Sequence, residues 1–184
     1  MLRKEMTKVE IEKELAGKGD YVQIDNITRF LRENLPVDIK RFLYLKLTVV
    51  YERRNMFSEE AELYNKLIEI SVTPTDRVAY LIKSTECYIK AGFFDKADLM
   101  MNRITGEVKE LERRKIMNLI IDFYKKQAQI YEKEKRRNKA MKTYEKILSM
   151  NIISSEKDEI QKKLAELYKE LGMVGEYMKL RPKG

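Results

Sequence analysis

CYIKAGFFDKADLM, residues 87–100, decides how this chain is read. Tyr88 closes an apolar run, Gly92 follows four residues later, and Ala97 stands in the middle of a second amphipathic run. A glycine directly behind an apolar helical stripe is a helix stop, and the periodic run beyond it starts a new helix. The stretch therefore predicts two helices joined by a tight turn. The same grammar returns in VVYERRNMFSEEAELYNKLIEI (49–70), QIYEKEKRRNKAMKTYEKIL (129–148) and ELYKELGMVGEYMKL (166–180), and more loosely in ELAGKGDYVQIDNITRFLRENLP (14–36). The anchors are Leu15, Tyr51, Tyr88, Tyr131 and Tyr168, spaced 36, 37, 43 and 37 residues apart. Self-similarity at such a period is the mark of a repeat architecture.

Other positions keep step with the anchors. Three residues earlier stand the small side chains Thr48, Thr85, Ala128 and Ala165; nine residues later come Glu60, Ala97, Ala140 and Tyr177. Small residues facing one another let two helices approach closely. Glu60 breaks the rule while Ala61 obeys it, which predicts a register slip of one residue in that unit. Breaks are expected at Gly17 and Gly19, Pro36, Asn55, Pro74, Gly92, Asn138, Asn151 and Gly172. The long 43-residue spacing predicts an extended helix from Val108 towards Lys135.

The pattern resembles the tetratricopeptide repeat, whose consensus is W-x₂-L-G-x₂-Y…A-x₃-F…P. Tyr88, Gly92, Phe94 and Ala97 match its most recognisable segment, and Pro36 falls at a closing-proline position. No tryptophan opens any unit, and Thr or Ala replaces the glycine before each anchor tyrosine. Other helical-hairpin solenoids, of the vesicle-fusion adaptor or PCI-scaffold type, fit the same irregularities. The resemblance implies an all-α fold: an α-solenoid of about five antiparallel helix hairpins in a right-handed superhelix. It implies one domain over 1–184, with repeats at 5–38, 41–75, 77–106, 108–151 and 157–181. Its last residues, MKLRPKG, fit a terminal cap and tail.

Composition agrees. Seven glycines and three prolines among 184 residues are too few for the turns of a sandwich or barrel, and 37% of residues are charged. The lone Cys87 forms no internal disulfide and sits in an apolar run as a small buried hydrophobe. The N-terminus is charged throughout, no run reaches 18 apolar residues, and the expected location is cytoplasmic.

Such stacks bind along an extended groove, so the expected function is a protein–protein interaction module, an adaptor or scaffold. Residues five before each tyrosine are Lys46, Lys83, Lys126 and Lys163; two after come Arg53, Lys90, Lys133 and Glu170. This basic ladder, with the apolar Phe42, Leu45, Val49, Ile82 and Ile89 beside it, fits a partner peptide or helix that is acidic with an apolar part. A solvated helix face explains the ladder equally well. Carboxylate-clamp members of the resembled family need asparagines where Val49 and Glu86 stand, so chaperone C-termini are not the expected ligand.

RNA binding is the alternative. The net charge is +8, and residues 107–150 hold 13 Lys/Arg against 7 Asp/Glu. The densest patch is Lys133, Lys135, Arg136, Arg137, Lys139 and Lys142. Glu132 and Glu134 interleave it, and no stacking aromatic is evident. Catalysis has little to work with. There is no histidine, no glycine-rich phosphate loop and no nucleophile with a base, and carboxylates such as Glu107, Glu110 and Glu112 read as wet helix faces. No cofactor or metal is expected.

Overall fold

A computed structural model describes residues 2–180, so the tail from Arg181 lies outside the described residues. These form ten α-helices and no strand: α1 Lys8–Leu15, α2 Asp20–Phe30, α3 Val37–Arg53, α4 Phe57–Glu69, α5 Pro74–Ala91, α6 Phe94–Glu107, α7 Glu110–Lys133, α8 Arg137–Leu148, α9 Ser154–Glu170 and α10 Val174–Leu180. Starts follow local chemistry. The Thr7 hydroxyl accepts the Glu10 N–H while the Glu10 carboxylate accepts the Thr7 N–H at 2.7 Å, a reciprocal cap that satisfies two orphan donors of α1. Pro36 directly precedes α3. Thr73 caps α5, whose first residue, Pro74, needs no N–H there.

The chain divides after Lys109 into two compact units. In the first, α2 packs on α3, α3 on α4, α4 on α5 and α5 on α6; in the second, α7 packs on α8, α8 on α9 and α9 on α10. The first unit opens on a cluster of Leu2, Ile11, Leu15, Ile27, Phe30, Leu35, Leu43 and Leu47. Further along, Leu67, Leu81, Ile89 and Ile104 are wholly buried. In the second unit Ile120, Tyr124, Ala128, Ala140, Tyr144 and Ile147 occupy the interior. The extended helix expected from the 43-residue spacing is α7, with 24 residues.

Four turns are built alike. The N–H of Met56, Phe93, Arg136 and Met173 each donates to the carbonyl of the anchor tyrosine five residues earlier, at 2.8–2.9 Å. Between them Asn55 (φ 55°), Gly92 (80°), Lys135 (57°) and Gly172 (72°) take the left-handed conformation. Each of these four also donates its N–H to the carbonyl three residues back. This bond pair is the Schellman helix stop, which satisfies carbonyls a helix end leaves bare. The third turn therefore breaks at Lys135; Asn138, expected as the break, is the second residue of α8. The Leu15 turn differs, because its left-handed residue, Gly17, comes only two residues after the anchor.

The small positions follow the same frame. Thr48, Thr85, Ala128, Ala97 and Ala140 are buried, and Ala165 is half-buried. The register slip expected at Glu60 does not occur. Glu60, Ala97, Ala140 and Tyr177 each donate their N–H to the carbonyl four residues earlier at 3.0 Å, and Glu60 itself is 4% exposed. Two anchor hydroxyls also share a partner position 23 residues upstream. Asn65 donates to Tyr88 at 2.9 Å, and the Tyr168 hydroxyl donates to Glu145 at 2.7 Å.

Candidate functional site

In the first unit, α3 is apolar on two faces. Leu43, Leu47 and Val50 form its buried stripe. Leu45 (37% exposed) and Val49 (53% exposed), four residues apart, point away from it and continue from Phe42, which is half-buried and packs against the core cluster. Polar contacts border this second stripe on both sides. Arg41 donates to Asp76 (3.1 Å) and to the Tyr80 hydroxyl (3.2 Å) on α5, while Lys46 pairs with Glu12 on α1 and covers the Phe42 ring. At 100° per residue, Leu45 and Val49 lie on the arc of α3 between Arg41 and Lys46. Ile82 on α5 is half-buried. Ile89, expected to line the groove, is wholly buried, because the α5 arc beside Tyr88 faces the interior.

The basic ladder is largely neutralised within the molecule. Besides Lys46, Arg53 pairs with Asp20 at 2.7 Å. Lys83 and Lys90 both grip Glu86, at 3.1 and 2.8 Å, one turn to either side of it. These contacts hold the Glu86 carboxyl below its ordinary range against the opposing effect of burial, and Lys90 also covers the Phe57 ring. In the second unit Lys163 meets Glu132 at 3.5 Å, whereas Lys126 and Lys133 are exposed. The ladder positions of the first unit thus frame an apolar stripe with closed ion pairs.

The dense basic segment lies on the α7–α8 turn. Arg136 and Lys139 sit over the Tyr131 ring at 5.1 and 5.7 Å, leaving that ring 2% exposed. The interleaving carboxylates are engaged elsewhere: Glu132 accepts from the Tyr144 hydroxyl (2.9 Å) and from Lys163, and Glu134 from Arg136 (3.0 Å). Arg137 pairs with Glu170. Lys133, Lys135, Lys139 and Lys142 are exposed and meet no carboxylate among the described residues.

No protein-family model and no curated protein matches the chain.

Among the described residues no group of three or more Cys, Asp or Glu side chains could hold a metal ion, and no helix is long and apolar enough to cross a membrane. The Cys87 thiol is 2% exposed and pushed far up by burial, with Glu60 beside it adding to the shift; a thiol held protonated is a poor nucleophile. Sequence reasoning missed Glu60 as a buried charge because the neighbouring Ala61 offered an easier register.

Proposed function

We propose that this chain is a non-catalytic protein-interaction module of tetratricopeptide-like helical hairpins, and that the outward face of α3 receives an amphipathic segment of another protein. The observation that carries this reading is the second apolar stripe, Phe42–Leu45–Val49. A helix apolar on opposite faces is ordinarily covered on both, yet Leu45 and Val49 are open to solvent, beside a Phe42 that packs on the core. An apolar centre with a polar rim is the make-up of a protein–protein interface. Lys46 and Arg53, already paired, supply the rim and reward a partner carrying carboxylates at its edge. That contribution lies more in orientation and encounter rate than in affinity.

Photo-crosslinking tests the reading. A photoreactive residue placed at Val49 should yield one discrete adduct with another protein in cells of the source organism, and the same probe at the exposed Lys66 on α4 should not. Leu45→Asp in the Val49 probe protein should abolish the adduct while the helical circular dichroism is kept. Equal labelling from both positions would overturn the assignment.

A further inference from the structure

We infer that the α7–α8 turn is a binding site for the phosphodiester backbone of a nucleic acid, read without regard to base sequence. Charge is partitioned very unevenly between the two units. Residues 1–109 hold 19 Lys/Arg against 18 Asp/Glu, whereas residues 110–184 hold 19 against 12. The surplus is concentrated where the structure leaves it open. Lys133, Lys135, Lys139 and Lys142 span ten residues across one tight turn, all exposed and none within ion-pair distance of a carboxylate among the described residues, although Lys135 lines one cleft with Glu132, Glu166 and Glu170. Glu132 and Glu134, which could have neutralised them, are occupied by Tyr144, Lys163 and Arg136. Exposed lysines clustered along one turn are the electrostatic footprint of a polyanion site, since each phosphate they meet releases a condensed counterion.

The backbone of the turn fixes where one of these cations stands. Asn55, Gly92 and Gly172, at the equivalent positions, are residue types that tolerate the left-handed region; Lys135 holds φ 57° with a long side chain. This conformation places a cation at the crest of the turn.

The surroundings select the ligand. Within the turn and its flanks, residues 131–152, no large hydrophobic side chain is exposed; the exposed Ile130 and Ile153 bound this stretch, and Leu171 lines the cleft beside the turn. A membrane surface held by a basic segment alone would lack the apolar insertion that strengthens such docking, and an acidic protein would lack the apolar centre of an interface. Bases have no platform either. Tyr131 is capped by Arg136 and Lys139, and Tyr144 is 1% exposed with its hydroxyl turned to Glu132. Recognition is left to phosphates, which position a strand but carry no sequence information.

Fluorescence anisotropy tests this on the full chain, with labelled mixed-sequence probes of about 20 nucleotides as single-stranded RNA, duplex RNA and duplex DNA. Micromolar binding at about 100 mM salt is expected, with a log–log salt slope near −3 to −4 on a duplex if four phosphates are met. The order of affinities among the three probes tells RNA from DNA. Lys133→Ala with Lys142→Ala should weaken binding at least about tenfold for every sequence and flatten the slope by about 2. Lys135→Gly should weaken binding while melting no lower than wild type, which separates loss of charge from loss of fold. Lys13→Ala with Lys66→Ala, in the first unit, should leave the slope unchanged. Absence of saturable binding below about 0.1 mM, the ceiling of ordinary non-specific affinity, would overturn the inference. So would wild-type affinity in the Lys133/Lys142 variant, or binding to vesicles containing phosphatidylserine with none to nucleic acid.

Discussion

Glu60 shows how one residue can depart from a repeat and still be held by it. The same helical position carries Ala97 in α6 and Ala140 in α8, both wholly buried. The Glu60 carboxyl lies beside the Cys87 thiol, and its Oε2 has no hydrogen-bond partner among the described residues. Burial pushes its pKa up. A carboxyl whose folded pKa lies above its unfolded value contributes its stability in full below the unfolded pKa and loses it as pH rises through the folded one. Glu60→Gln should therefore raise stability by about 1 kcal/mol at pH 7, and the gain should fade as pH falls towards about 4.3. Urea unfolding at the two pH values measures this; an equal difference at both would refute it. Cys87 should stay unreactive to a thiol reagent in the native protein and react at once in denaturant.

At the scale of elements, the repeated turn is the strongest regularity in the molecule. Its cost depends on which residue must turn left-handed. Gly92→Ala should destabilise by about 1 kcal/mol, and Lys135→Gly should stabilise by about 0.5–1 kcal/mol, because the same strain is imposed in one and relieved in the other. Thermal melts of the two variants, moving in opposite directions, check the pair. Between helices, the anchor tyrosines do more than fill space. The Tyr88 hydroxyl donates to Glu62 at 2.8 Å and accepts from Asn65, tying α5 to α4. Tyr88→Phe should cost about 1 kcal/mol by removing both bonds without leaving a cavity.

Across the whole molecule the buried phenols set an alkaline limit. Burial first, and then nearby carboxylates, push Tyr64, Tyr88 and Tyr168 up to about 12, and Tyr51, Tyr131 and Tyr144 also rise. Their stability is fully present below the ordinary phenol value near 10 and is lost as pH rises through about 12. The phenolate absorbance of these six tyrosines should therefore develop late and together with the loss of helix. A smooth titration near pH 10 with helix retained would contradict this.

Helices, turns and the long α7 were legible in the chain because they depend on neighbours close in sequence. A left-handed stop four residues past each tyrosine and the small Ala97 and Ala140 nine residues past two of them are local facts, and local sterics enforce them. The fate of the charges was not legible. Lys46 finds Glu12, Arg53 finds Asp20 and Lys163 finds Glu132, each more than 30 residues away. Ile89 likewise reads as a groove residue until its helix is packed, and Glu60 reads as a slip until its turn is seen to match the others. Sequence alone determined where the chain turns and which stripes are apolar. Only the tertiary structure decided which cations are neutralised, which stay open and which apolar stripe remains uncovered, because side chains from distant helices settle those questions once they lie side by side.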